Sequence, residues 1–217
     1  DGNTRAYYAE TLPNPKLQVF PIAAVAAIGR ELGVPLIMDN TAAPLLCRPF
    51  DHGAAIVMYS TTKYIGGHGT SIGGMLIDGG NFDWEAHADR FPMLNQPDPS
   101  YHGAVWTEAV KPLGPIAYIL KARVTLLRDI GAAMSPQNAF QFIQGLETLS
   151  LRMERHCSNA DTVANFLAGH AKVEKVIYPG LMDGESRARA DAHLSGGYGG
   201  LLGMEVAGGL EAGKKFI

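Results

Sequence analysis

Long apolar runs, paired cysteines and clustered metal ligands are all missing from this chain. No apolar stretch approaches the roughly 20 residues that cross a bilayer as a helix. The polar start Asp1-Gly2-Asn3-Thr4-Arg5 has no secretory character. Cysteine occurs only at Cys47 and Cys157, which excludes a disulfide framework and a metal-spaced pair. The histidines stand singly, and no His/Cys/Asp set has ligand spacing, so no metal is expected. Charge of one sign is scarce too. A net charge of −3 points neither to nucleic acid nor to an anionic membrane surface. Internal repeats and low-complexity segments are absent. A cytoplasmic globular protein is therefore the default. Its 217 residues, 47% hydrophobic, suffice for one sizeable core and part of a second. A starting methionine is also lacking, and Lys214-Lys215-Phe216-Ile217 falls where a helix is getting under way. Both ends are expected to be cut from a longer chain.

What is present is an alternation of apolar runs and amphipathic stretches. Ile22, Val25, Ile28 and Leu32 recur at helical spacing and predict a helix from about Pro21 to Leu32. Pro21 suits its first turn and Gly33 its stop. Buried strands are predicted over 34–39 and 54–59, and a third strand over 74–78. Strands alternating with a helix imply a parallel sheet covered on both faces. From Asn81 to Gly114 the pattern breaks into an excursion rich in proline and aromatics, with short helical pieces. A helix is expected over 115–128, with Ile116, Ile119, Leu120, Val124 and Leu127 as its stripe. A second is expected over 135–156, and a third from Asn159 to His170, capped by Ser158. Strands at 173–178 and 201–206 flank a glycine-rich loop. The order suggests an α/β domain over residues 1–150 and the start of a smaller α+β domain over 151–217.

Two of the strand runs end in reactive polar residues. Val34-Pro35-Leu36-Ile37-Met38 closes on Asp39-Asn40, and Ala54-Ala55-Ile56-Val57-Met58-Tyr59 closes on Ser60-Thr61-Thr62-Lys63. Ligands of open α/β sheets bind beyond the carboxyl ends of the strands. Pyridoxal 5′-phosphate (PLP) is a ligand that calls for an amine, a carboxylate and phosphate-binding hydroxyls together. Each residue also has a plainer reading. Lys63 could face solvent at a strand end, and Asp39-Asn40 could form a turn. Ser60 and Thr62 could reflect β propensity. The glycines at 66, 67 and 69 have neither dinucleotide nor P-loop spacing, and a turn allowing close backbone approach is the simpler assignment.

Several runs carry a resemblance to a known family. Asp39-Asn40-Thr41 and Ser60-Thr61-Thr62-Lys63-Tyr64-Ile65-Gly66-Gly67-His68 are similar to the cofactor motif of the Cys/Met-metabolism PLP enzymes. Glu10-Thr11-Leu12-Pro13-Asn14-Pro15 resembles the family's Asn-Pro segment. Gly145 to His156 resembles the helix leading into its C-terminal domain. The resemblance implies the aspartate aminotransferase-like fold (fold type I): a large domain with a mostly parallel sheet and a smaller α+β domain. By the same resemblance Lys63 is the Schiff-base lysine and proton carrier, and Asp39 the partner of the pyridinium nitrogen. Ser60 and Thr62 would hold the phosphate, and Asn14 would contact the phenolic oxygen. The excursion Phe82-Asp83-Trp84, Pro97 to Gly103 and Leu127 to Ala132 resembles the O-acetylhomoserine sulfhydrylase branch. That branch implies replacement of acetate by sulfide or a thiol to give homocysteine, in a cytoplasmic homotetramer built from dimers. A methionine γ-lyase, a cystathionine γ-synthase or lyase, or a non-catalytic α/β fragment are the alternatives. The family's phosphate turn, its stacking tyrosine and the Tyr/Arg pair lent by a neighbouring subunit would precede residue 1. Its carboxylate-binding arginine would follow residue 217.

Overall fold

A computed structural model describes residues 1–217. In chain order the regular elements begin β1 (Tyr7–Glu10), α1 (Ile22–Leu32), β2 (Leu36–Asp39), β3 (Ile56–Ser60) and β4 (Gly74–Asp78). The sheet order is β1-β2-β3-β4. β1, β2 and β3 run parallel, with Glu10 opposite Asp39 and Asp39 opposite Met58. β4 returns antiparallel to β3, from Ser60 opposite Gly74 to Ile56 opposite Asp78. The sheet is thus mainly parallel, but its last strand reverses. The Thr61–Gly73 connection holds no helix, whereas a parallel crossover is usually made by one.

Both faces of β2 and β3 are covered, as their continuous apolar runs imply, whereas β1 leaves Tyr8 and Glu10 exposed. Leu36, Met38 and Val57 share a core with Ile22 and Ala26 of α1. Ala55 and Ile56 meet the aromatic excursion, where Phe82, Trp84, Phe91 and Trp106 are buried together. Full burial of one such aliphatic side chain contributes about 1.5–3 kcal/mol. The buried stripe of α1 is Ile22, Ala26 and Gly29, whereas Ile28 and Leu32 are half exposed. Small residues face the sheet because the helix lies close to its own exit: a Cβ on Gly29 would stand 2.4 Å from the Val34 carbonyl. Gly33 ends the helix at φ +66°, as its position implied. Pro21 is the residue that precedes the first helical turn.

The excursion contains α2 (Pro92–Asn95), α3 (Trp106–Ala109) and short 3₁₀ turns. The helix expected over 115–128 divides into α4 (Ala117–Ala122) and a π-helical run, Arg123–Asp129. α5 (Pro136–Glu147) is capped by Ser135, whose Oγ accepts from the Asn138 N–H at 3.1 Å. The single helix expected over 135–156 is broken at Thr148, and α6 (Leu149–Ala168) then runs through the start expected at Asn159. Ser158 caps nothing; its hydroxyl donates to the Arg155 carbonyl inside α6. β5 (Val173–Ile177) and β6 (Gly203–Val206) form a separate antiparallel pair. Two helices complete the chain, α7 (Gly184–His193) and α8 (Gly209–Phe216). α6 and α7 reach back to the first core through Leu149, Met153, Cys157 and Ala190. No helix is long and apolar enough to cross a membrane.

Candidate active site

The parallel register brings the ends of β2 and β3 side by side, pointing the same way. A cavity of about 760 Å³ opens there. Asn14, Asp39, Ser60, Thr62 and Lys63 all line it. Five residues from three separate runs of sequence thus meet in one place. Glu10, Thr41, Tyr64 and Arg152 complete much of the wall. The volume lies within the usual range for small-molecule and cofactor sites, about 300–1,000 Å³.

Asp39 is oriented through both oxygens. The Thr41 N–H donates to Oδ1 at 2.9 Å, and the Tyr8 hydroxyl donates to Oδ2 at 3.1 Å. Burial, and then the Asp39 charge, push the Tyr8 hydroxyl above its ordinary range, so it stays a donor. Neighbouring backbone ties hold this strand end in place. The Thr11 N–H donates to the Asp39 carbonyl at 2.9 Å, and the Asn40 N–H to the Met58 carbonyl at 3.0 Å. Asn40 is fully buried, and its amide donates to the Cys47 carbonyl and the Tyr59 hydroxyl.

Ser60 offers its hydroxyl from the end of β3, where its own N–H is satisfied by Thr41 Oγ1 at 2.7 Å. The Thr62 hydroxyl accepts from the Gly73 N–H at 3.0 Å and is oriented by it. Lys63 sits in the turn that follows, exposed to the cavity. That turn is wound tightly, with the Gly66 N–H on the Thr61 carbonyl and the Gly67 N–H on the Lys63 carbonyl, both at 2.8 Å. Gly67 has φ +79°, a conformation open to glycine. His68 turns its ring toward the Gly66 carbonyl at 3.0 Å rather than joining a metal set.

An amine, a carboxylate with both oxygens fixed, and two hydroxyls on one wall form a donor set that suits PLP. The thiols do not enter this chemistry. Cys47 is buried and pushed up to about 12, and burial raises Cys157 as well. No group of three or more His, Cys, Asp or Glu side chains is arranged to hold a metal. The sequence alone assigned no role to Arg152, which lines the wall, or to Tyr8, which reaches Asp39 from β1. Tyr8 becomes visible only when β1 is recognised as the neighbour of β2, and β1 carries just four residues.

The fold is that of a fold type I PLP-dependent enzyme, and the donor set is in keeping with it. The chain belongs to the Cys/Met metabolism PLP-dependent enzyme family, which its residues 1–217 match throughout. It is 53% identical to the O-acetyl-L-homoserine sulfhydrylase of Leptospira meyeri, over 100% of this chain and 50% of that protein. A crystal structure described as an O-acetylhomoserine (thiol)-lyase from Campylobacter jejuni superposes with a TM-score of 0.85 and 37% identity. It covers 95% of this chain and 51% of that one, and carries N′-pyridoxyl-lysine-5′-monophosphate. Cystathionine γ-lyase from Lactobacillus plantarum, complexed with L-serine, gives a TM-score of 0.71 at 28% identity, over 96% and 45% of the two chains. The chain spans about half the length of the curated relatives it matches.

Proposed function

We propose that the full-length protein is a cytoplasmic PLP-dependent transferase that converts O-acetylhomoserine and sulfide into homocysteine and acetate. The single observation that carries this reading is the meeting of Lys63, Asp39, Ser60, Thr62 and Asn14 around one cavity. The identity to a sulfhydrylase, and the higher TM-score to a thiol-lyase than to a γ-lyase, favour this branch of the family. Residues 1–150 then belong to the PLP-binding domain and residues 151–217 begin the C-terminal domain. The separate β5-β6 sheet supports that division.

When bound, PLP supplies an electron sink for breaking bonds at the substrate's α-carbon. The chain's residues do the rest. Lys63 would anchor the cofactor through Nζ, and the same Nζ, when free, would take the α-proton and later return one. Asp39, held by Tyr8 and Thr41, keeps a proton on the ring nitrogen. The hydroxyls of Ser60 and Thr62 would hold the phosphate, Thr62 giving up its 3.3 Å bond to the Gly73 carbonyl, and the Asn14 amide would meet the phenolic oxygen.

The test is a product assay on the full-length protein with O-acetylhomoserine and sulfide. Homocysteine and acetate should appear in equal amounts. Release of an α-keto acid and ammonia in place of homocysteine would assign the γ-lyase reading instead.

A further inference from the structure

The segment that carries Lys63 is gripped from outside the sheet by one side chain. Arg152, in the first turn of α6, donates from Nη1 to the Tyr64 carbonyl at 2.7 Å. Its Nη2 donates to the Ile65 carbonyl at 3.3 Å and to the Gly145 carbonyl at 2.8 Å. Its Nε donates to Thr148 Oγ1 at 3.1 Å. A guanidinium has five N–H groups, and four of these are engaged by the acceptors just named. Two of the acceptors are the residues that directly follow Lys63. The other two are the last turn of α5 and the break between α5 and α6.

The same contact is made close by glycine. A Cβ on Gly145 would lie 2.2 Å from the Ile65 carbonyl oxygen, and one on Gly67 would lie 2.9 Å from Arg152 Nη1. A side chain at Gly145 would collide with backbone, and Gly67, at φ +79°, leaves room for the Arg152 fork. Arg152 also borders the cavity, which raises the question of whether it binds a substrate anion. Its donors are already taken by carbonyls of the protein, which leaves one N–H for any ligand. A planar fork can serve several acceptors spread across two elements, whereas a lysine ammonium is a single point.

We infer that Arg152 is a positioning residue, fixing the turn Thr61–Gly67 on the α5–α6 junction and so setting where the Lys63 Nζ stands in the cavity. The inference rests on the reading of Lys63 as the cofactor lysine. Arg152 acts through the backbone of Tyr64 and Ile65 and does not itself touch the reacting atoms.

The test uses the full-length, PLP-loaded enzyme and its Arg152→Gln and Arg152→Lys variants. Hydrogen exchange of the amides of residues 64–67 reads the grip directly. In both variants exchange there should quicken by roughly ten-fold or more, while the amides of α1 stay as they were. The kcat should fall by about ten-fold or more with the KM for the amino-acid substrate within about two-fold, the sign of a lost alignment and not of lost binding. The pH midpoint of the visible cofactor band should move as well. The Lys variant, which keeps the charge, carries the test if the Gln variant does not fold. Unchanged exchange at residues 64–67 would overturn the inference. So would a rise in KM alone, which would make Arg152 a substrate ligand. Peptide mapping of the borohydride-reduced wild type separates the two levels. An untagged Lys63 there overturns the reading beneath, whereas a tagged Lys63 with unchanged exchange in the variants overturns the role of Arg152 alone.

Discussion

Asp39 shows how much of a site one residue can owe to its neighbours. Its carboxylate ends a buried strand, yet both oxygens are directed by groups from elsewhere, Tyr8 on β1 and the Thr41 N–H beyond β2. In the proposed role its charge matters most where charge develops during reaction. Asp39→Asn should therefore lower kcat by on the order of 10²-fold while the affinity for PLP changes far less. Parallel kinetics and cofactor titration of the full-length variant check this, and an unchanged kcat would return Asp39 to a turn-forming role. A second carboxylate, Asp98, governs the excursion instead. Lys121 pairs with it, Ser100 Oγ donates at 2.6 Å and Trp106 Nε1 at 2.8 Å. The Lys121 ammonium, then Ser100 and Trp106, hold the Asp98 carboxyl well below the usual carboxylate range. Because the folded value lies below the unfolded one, about 3.9, the stabilisation is full above about pH 4 and is lost as pH falls below it. Lys121→Met removes the largest of these influences. It should move acid unfolding to higher pH, followed by the fluorescence of the buried tryptophans; an unmoved midpoint would contradict the pairing. Lys63 and Asp39 were legible in the sequence because each closes an apolar run. Tyr8 and Arg152 were not. Their partners are a carboxylate on the adjacent strand and backbone carbonyls 87 or 88 residues away, which no local pattern reports.

At the scale of elements, the strands around the site were the clearest part of the sequence, since continuous apolar runs mark strands buried on both faces. Direction was less clear. β4 has the apolar composition of its neighbours but returns antiparallel, through a connection that holds no helix. The helices went astray where tertiary contacts override periodicity. The apolar pattern continues from α5 into α6, but Arg152 takes up the Gly145 carbonyl and Thr148 leaves helical geometry, with φ −107° and ψ 3°. Ser158 reads as a cap on its own, yet sits inside α6 because the helix faces a core on both sides of it, through Met153 and Cys157 before and Ala160 and Ala164 after. The cap that does operate is Ser135. Ser135→Ala removes the acceptor for the Asn138 N–H and should lower stability by about 1 kcal/mol. Thermal unfolding of the full-length variant measures it, and an unchanged Tm would mean that α5 is held by packing alone.

At the scale of the whole molecule, the cavity lies where the sheet, the Lys63 turn and the α5–α6 junction meet. Around it the surface keeps apolar side chains in view. Phe140, Ile143 and Leu146 of α5 are exposed, as are Met75, Leu76 and Ile77 of the edge strand β4. Exposed apolar surface of this kind marks contact faces. Chemical trapping shows whether this cavity holds PLP on Lys63. The full-length protein, loaded with PLP and reduced with borohydride, is digested and its peptides weighed. The account predicts a single pyridoxyl-phosphate adduct, on the peptide bearing Lys63, and none in Lys63→Ala. An adduct on another lysine, or labelling that persists in Lys63→Ala, would contradict it.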